Sequence, residues 1–291
     1  MSASLIAAAL IAASAHATAP DPAPVVAAER AFAADGLKMG VKPSFLKHSR
    51  PDAIMISDQP RTVTQVFADA PDPTGKEPSL VWWPLWAGIA RSGELGFSTG
   101  PIEVGGKRTQ HYFTIWQKQA DGGWKWVYDG GGGGAAKDEA VQGSPVAYLP
   151  LATAHAASPA AAMAEVKAAE AALAAGIKTD QVAAHLAALA EDGRVYVGPL
   201  PPAKGRADFP TVLAGFPQSM DFSAPMGGGS SDGADLVWTY GPARWARDGA
   251  PRSGHYVHVW QKRTEGWKLV FAQMVSAPPP APATPAPPAN G

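Results

Sequence analysis

The chain contains no cysteine among its 291 residues, which excludes several kinds of site at once. It forms no disulfide, and it offers neither a thiolate ligand for zinc nor a thiol nucleophile. The chain also has no large excess of either charge, because 24 Lys and Arg against 25 Asp and Glu give a formal net charge of -1. No block of basic residues stands out, as a nucleic-acid footprint requires. The sequence therefore predicts no nucleic-acid partner.

Long hydrophobic runs are scarce, and the one at the N-terminus is short. Leu5 to Ala13 form an apolar core, and both Ala15-His16-Ala17 and Ala17-Thr18-Ala19 fit a small-x-small cleavage site. The run is shorter than the ~20 residues that a membrane-spanning helix needs. We expect residues 1–19 to be a signal peptide, so that the protein is periplasmic or secreted and has no membrane span. A flexible Ala-rich leader is the alternative, since no Lys or Arg precedes Arg30.

Aromatic residues are abundant and concentrate in two β-hairpins. His111 to Gln119 is a predicted strand rich in aromatic and aliphatic residues, and Trp124 to Tyr128 returns as a second strand. Asp121-Gly122-Gly123 lies between them, and Asp-Gly and Gly-Gly readily adopt the positive φ of hairpin turns. His255 to Phe271 repeats this pattern.

The two halves of the chain correspond element by element. Glu29 and Glu170 are 141 residues apart, as are Gly100-Pro101 and Gly241-Pro242. A near-constant separation indicates duplication of a whole domain, and the period is too long for a solenoid repeat. In each half, helices precede a series of strands, which is typical of an α+β layer. We predict a first domain over 20–135, a linker over 136–158, a second domain over 159–276 and a disordered Pro/Ala tail over 277–291.

The first half resembles the SnoaL-like branch of the nuclear-transport-factor-2-like superfamily, which includes the ketosteroid isomerases. Four stretches carry the resemblance: Trp83-Pro84, Ser92 to Glu103, His111 to Lys118 and Asp121 to Lys125. It covers nearly all of 25–130 and, more faintly, 160–275. The resemblance implies an α+β fold of two tandem cone-shaped domains. Each would be a curved antiparallel sheet wrapped around N-terminal helices, with a pocket at the wide end.

Catalytic residues are not expected. The resemblance would place the isomerase base, tyrosine and oxyanion-stabilising acid on Ser57, Ala28 and Ile115, none of which has the required group. His255 and His258 lie on opposite faces of a strand, so they do not bind one metal together. The glycine run 130–134 lacks the Lys-Ser/Thr of a phosphate-binding loop and is interpreted as a flexible linker. We therefore expect no metal and no cofactor.

A ligand site is predicted in the first half, which has the richer set of tryptophans. Its expected lining consists of Phe32, Trp83, Phe97, His111 and Phe113. On the strand alternation, His111 and Phe113 would face this pocket, and Trp116 would face the other half of the chain. The alternative is that the tryptophans fill the cone and His111 merely bonds backbone.

Both faces of each hairpin are apolar, although a sheet with one solvated face alternates apolar with polar residues. We therefore expect the halves to pack sheet against sheet as an intramolecular pseudo-dimer. The function predicted is non-catalytic binding of a small apolar ligand or a protein partner. The alternatives are a SnoaL-like enzyme that uses acid–base catalysis on a small hydrophobic substrate, and a purely structural pseudo-dimer. A buried Asp, Glu or His beside a sizeable cavity would favour the enzyme.

Export is directly testable. We expect cleavage after Ala17 or Ala19, because both end a small-x-small site behind the apolar core. N-terminal sequencing of the protein from the periplasmic fraction checks this, and intact Met1 on cytosolic protein would contradict it.

Overall fold

The structure is a computed structural model that describes residues 19–132, 134–198, 200–217 and 219–278. All but the last residue of the expected signal peptide lies outside these ranges, as does most of the expected Pro/Ala tail, so both stay predictions. Among the helices that the structure describes, none has the length and hydropathy needed to cross a bilayer.

The first half consists of helices packed on one face of a curved sheet. The strand order is β2-β1-β7-β6-β5-β4-β8, with β3 also pairing β5, and β1 runs parallel to β7. Its elements are α1 (Ala23–Met39), α2 (Val41–His48), β1 (Ser49–Ile56), β2 (Pro60–Thr62), α3 (Val63–Phe67), β3 (Leu80–Trp82), β4 (Trp86–Ile89), β5 (Leu95–Val104), β6 (Lys107–Lys118), β7 (Trp124–Gly132) and β8 (Ala147–Tyr148).

The second half repeats this arrangement. Its strand order is β10-β12-β13-β14-β9, with β11 also pairing β12, and β9 runs parallel to β14 just as β1 does to β7. The tandem α+β architecture predicted from the sequence is therefore confirmed. Its elements are α4 (Pro159–Ile177), α5 (Gln181–Ala188), β9 (Leu189–Tyr196), α6 (Phe209–Ala214), β10 (Met220–Phe222), β11 (Gly227–Ser230), β12 (Leu236–Arg247), β13 (Ala250–Arg263) and β14 (Gly266–Ser276).

Local sequence signals explain where the second-half helices begin. Ser158 caps α4 by accepting a hydrogen bond from the Ala161 N–H at 3.1 Å, and Pro159 occupies the first turn. Asp180 caps α5 in the same way through the Ala183 N–H at 3.0 Å. These caps position α4 and α5 against the inward face of the second sheet.

Each sheet has an inward face that packs on its own helices. In the first half, Phe32 of α1 contacts Trp82, Trp116 and Trp126, all of which are buried. In the second half, α4 packs on Tyr256 and Trp260 through its buried apolar side chains. Trp116 and Trp260 therefore lie inside the two cones, and the expectation that they lie between the halves is wrong.

The outward faces of the two sheets pack against each other and form a separate hydrophobic core. Phe113 of β6 and Phe271 of β14 stack with ring centroids 3.7 Å apart and planes 8° from parallel. Tyr128 and Trp238 also meet across the halves, at 5.9 Å. This core places Phe113 on the opposite side of the sheet from the helices. Strand alternation groups residues by face, but it does not say which face the helices cover when both are apolar.

Loss of the Phe113 ring should destabilise the whole chain. Phe113 is fully buried, so we expect Phe113→Ala to lower the free energy of unfolding by about 3–5 kcal/mol. Urea denaturation followed by circular dichroism measures this. Leu46→Ala is the control, because Leu46 is 40% exposed, and we expect it to cost less than about 0.5 kcal/mol. A similar small cost for Phe113→Ala would contradict the observed packing.

Candidate functional site

The first cone contains a cavity of about 230 Å³ between its helices and the inward face of its sheet. Most of the wall is apolar, and the polar groups come from three side chains. Such a composition is typical of sites for small molecules. The lining residues are Phe32, Phe45, Met55, Ile56, Ser57, Val66, Leu80, Trp82, Ile102, Tyr112, Asp129, Gly130 and Gly131.

Asp129 of β7 is the acidic group in this cavity, and it is only 7% exposed. The Thr114 hydroxyl donates to its Oδ1 at 2.7 Å. Burial, together with the nearby negative charge of Glu29, raises the pKa of Asp129 to about 7, although the Thr114 hydrogen bond acts in the opposite direction. The cavity thus holds a carboxyl group whose proton is lost near neutral pH.

Tyr112 of β6 supplies a second polar group to the same wall. Its hydroxyl is buried and makes no hydrogen bond of ordinary length with any described residue, although the Ser98 hydroxyl is close enough to act on its pKa. Burial raises the pKa of this hydroxyl well above its ordinary value, so it stays protonated. The Tyr112 hydroxyl can therefore donate a hydrogen bond to a molecule in the cavity.

Behind the cavity, Glu29 of α1 is fully buried and held by three donors. Trp82 Nε1 donates to Oε1 at 2.6 Å, while Ser98 Oγ and Trp116 Nε1 donate to Oε2 at 2.5 and 2.8 Å. Burial raises the pKa of Glu29, and the three hydrogen bonds oppose that shift. The carboxyl group ties the helix to three strands.

Glu170 of α4 occupies the matching place in the second half. Trp260 Nε1 donates to its Oε1 at 2.7 Å and Thr239 Oγ1 at 2.6 Å, and His258 Nδ1 lies 3.0 Å from both of its oxygens. Burial alone would raise the pKa of Glu170, but the charge of His258 and the three hydrogen bonds lower it below the ordinary value. This glutamate has a basic partner.

The register of the strands shows how the two cones have diverged. Thr114 pairs with Asp129 across β6 and β7, and the corresponding pair across β13 and β14 is His258 with Ala272. The second cone therefore has a histidine in place of the threonine, and no acid in place of Asp129.

The second cone also satisfies its inward tyrosine internally. Tyr256 corresponds to Tyr112, but its hydroxyl donates to the Ser223 carbonyl at 3.0 Å. Phe222 packs on the Tyr256 ring with centroids 5.0 Å apart. The pairing of an acid with an unpartnered hydroxyl is therefore a feature of the first cone.

Of the five residues predicted to bind a ligand, Phe32 lines the cavity. Phe97 and Phe113 lie in the core between the two sheets. Trp83 donates its indole N–H to the Ala140 carbonyl at 2.9 Å and lines a different groove, on the outer side of α1. The structure therefore does not bring the five residues together.

His111 lies at the junction of the two halves. It is fully buried, its Nδ1 is 3.1 Å from the Gly134 carbonyl oxygen, and its Nε2 is 3.2 Å from Glu139 Oε1. Lys204 Nζ of the second half donates to the other Glu139 oxygen at 2.7 Å. Burial would raise the pKa of Glu139, but His111 and Lys204 lower it to about 2. His111 thus bonds a backbone carbonyl, as the alternative interpretation has it, and also the side chain of Glu139.

Three of the residues that sequence reasoning missed are one position away from those it named. Trp82, not Trp83, faces the cavity; Ser98, not Phe97, contacts Glu29. The same holds for Tyr112, which lines the cavity beside the outward-facing Phe113. A shift of one residue along a strand exchanges its faces. The signal that could have set the face was the matched pair of glutamates, since a buried acid needs donors opposite it.

Two further expectations change with this assignment of faces. Ile115 packs between the halves, so it does not occupy an inward position, and its identity says nothing about an acid in the cone. Gly130 to Gly132 were interpreted as linker, but they end strand β7, and Gly130 and Gly131 line the cavity. A side chain on Gly130 would meet the Tyr128 hydroxyl.

Within residues 19–278, apart from the three positions that the structure leaves out, no group of three or more His, Asp or Glu side chains is arranged to hold a metal ion.

Comparisons with known proteins give only structural matches. Neither a scan against protein-family models nor a search of curated proteins finds a match. The solved structures similar to this chain include a ketosteroid isomerase-like protein from Erwinia carotovora, with 17% identity and a TM-score of 0.35, over 40% of this chain and 96% of that one.

Two other solved structures are of related kinds. An NTF2-like protein of unknown function from Shewanella oneidensis has 9% identity and a TM-score of 0.32, over 38% of this chain and 97% of that one. A putative scytalone dehydratase from Novosphingobium aromaticivorans has 15% identity and a TM-score of 0.34, over 40% and 84%. Each covers about two fifths of this chain.

The raised pKa of Asp129 predicts a pH dependence of stability. An unfolded aspartate has a pKa near ~3.9, whereas the folded value is about 7. The folded chain thus binds this proton more tightly. The resulting stabilisation is complete below about pH 4 and is lost as the pH rises through about 7. We expect Asp129→Asn to remove this loss, so that it gains on the order of 3 kcal/mol relative to wild type between pH 4 and 8.

Urea denaturation at a series of pH values measures the effect. Asp69→Asn is the control, because Asp69 is exposed, and its profile should follow that of wild type. Parallel profiles for Asp129→Asn and wild type would show that Asp129 is not a buried acid of this kind.

Proposed function

We propose that the first cone binds a small, largely apolar molecule whose polar group contacts Tyr112 and Asp129. One observation carries this proposal: a buried tyrosine hydroxyl without a partner among the described residues lines the same cavity as a buried carboxyl. Buried polar groups are nearly always hydrogen-bonded, so a free hydroxyl on a cavity wall is explained by a ligand that completes its hydrogen bond.

The second half supports this interpretation as an internal comparison. There the corresponding tyrosine donates to Ser223, and Ala272 replaces the acid. A fold that needed only a packed interior could have kept that arrangement in both halves. A cavity of this size that is lined by two buried polar groups suits a small molecule better than a protein partner, which needs an exposed surface.

Acid–base catalysis is the second candidate function, and Asp129 favours it. A general acid or base works best when its pKa is close to the operating pH, and burial brings the pKa of Asp129 to about 7. A buried carboxyl group beside a cavity is the feature that favours an enzyme over a binding module. Binding and catalysis are separated by whether the bound molecule is converted.

The binding site can be tested with a matched pair of variants. Native mass spectrometry of the purified protein shows whether a small molecule is already bound. A panel of small phenols, cyclic ketones and cyclic alcohols is then titrated, and quenching of tryptophan fluorescence reports which of them bind. We expect Tyr112→Phe to weaken binding about five-fold, as the loss of one hydrogen bond predicts. Tyr256→Phe makes the same chemical change in the second cone and should leave the affinity unchanged.

Equal affinities for Tyr112→Phe and wild type, or an equal loss for Tyr256→Phe, would contradict the proposed location. If wild type converts the bound molecule and Asp129→Asn binds it without conversion, the enzyme is the correct description. If neither converts it, the protein is a binding module.

A further inference from the structure

The duplication creates two corresponding crevices between the halves, one beside β4 and one beside β11. Trp86 of β4 pairs with Thr99, and Gly227 of β11 pairs with Tyr240. Trp86 and Gly227 are 141 residues apart, and so are Thr99 and Tyr240. Gly227 therefore stands in the second half where Trp86 stands in the first.

The crevice beside β4 is filled by the Trp86 indole. Trp86 is buried, and its ring lies 4.9 Å from that of Phe97. Arg194 of β9 crosses from the other half and places its guanidinium carbon 4.6 Å from the centre of the indole. This is a cation–π contact between the halves.

The crevice beside β11 lacks both of these side chains. Gly227 replaces the indole, and Ile54 replaces Arg194, since Ile54 pairs with Tyr128 as Arg194 pairs with Phe271. Tyr240, in the place of Thr99, covers part of the gap: a Cβ added to Gly227 would lie 2.6 Å from its hydroxyl oxygen. The compensation is incomplete, because a cavity of about 360 Å³ remains.

Both flat and polar groups line this open crevice. The rings of Trp238 and Tyr240 lie nearly parallel, with planes 22° apart and centroids 5.9 Å apart. At the rim, Arg50 donates to both oxygens of Asp52 at 2.9 and 2.7 Å and to Gln117 Oε1 at 2.7 Å. These bonds use three of the five guanidinium N–H groups and balance the charge of Arg50.

We propose that the crevice beside β11 binds a neutral, planar aromatic molecule in the space that remains beside Tyr240, next to the position that Trp86 fills in the corresponding crevice. The filled crevice shows that this part of the fold accommodates an indole against a guanidinium group. Arg50 and Gln117 provide hydrogen bonds for a polar edge of the ligand, and the paired charges of Arg50 and Asp52 favour an uncharged one. This site shares no lining residue with the cavity of the first cone.

Indole is the direct probe, since it is the side chain that the crevice lacks. We expect indole titrated into the full-length ¹⁵N-labelled protein to shift the amide signals of Gly227, Gly228 and Gly229 in a saturable way. The double change Gly227→Trp/Tyr240→Thr copies the first-half pair into the second half. It should raise the melting temperature and weaken indole binding at these glycines at least about ten-fold.

Arg50→Ala provides a second test that does not depend on repacking the crevice. It should weaken indole binding about three-fold, as expected for a guanidinium–aromatic contact. Arg61→Ala removes a comparably exposed arginine that pairs with Asp58, and should have no effect. The proposal is overturned if millimolar indole shifts none of the three glycine signals, or if the shifts persist unchanged in the double variant and in Arg50→Ala.

Discussion

The buried glutamate on the first helix of each half is the interaction that sets the orientation of the rest. A carboxyl group removed from water is costly unless donors surround it. Glu29 finds them on three strands, at Trp82, Ser98 and Trp116. These contacts fix which side of α1 faces the sheet. They also fix which face of β5 and β6 is inward, and so leave Phe97 and Phe113 for the contact between the halves.

Each half of the chain buries the glutamate of its first helix with a similar set of hydrogen-bond donors. The glutamate, the indole donor and a hydroxyl donor recur, as Glu170, Trp260 and Thr239 show. The halves differ at two pairs that bear on binding: the inward pair Thr114 and Asp129 against His258 and Ala272, and the edge pair Trp86 and Thr99 against Gly227 and Tyr240. The first change places an acid in the largely apolar wall of the cavity in one cone. The second leaves one of the two crevices between the halves unfilled.

Much of the fold could be predicted from the sequence, because duplication, turn glycines and helix caps are local signals. The helix starts at Ser158 and Asp180 are examples. The site could not be predicted, because its residues depend on which face of the sheet the helices cover. Strand alternation correctly assigned Tyr112 and Phe113 to opposite faces, but the residues on the two faces are equally hydrophobic. Which face is inward depends on contacts distant in sequence, such as that between Glu29 and Trp116, which are 87 positions apart.

Charge balance connects the glutamate to the chemistry of the cavity. In the second cone, His258 lies against Glu170 and stabilises its negative charge. In the first cone, the uncharged Thr114 stands in that place. Two acids then lie close together in a buried region, where both cannot easily be ionised. The proton stays on Asp129 to about pH 7. A protonated carboxyl donates a hydrogen bond, so Asp129 and Tyr112 together suit a ligand oxygen that accepts two.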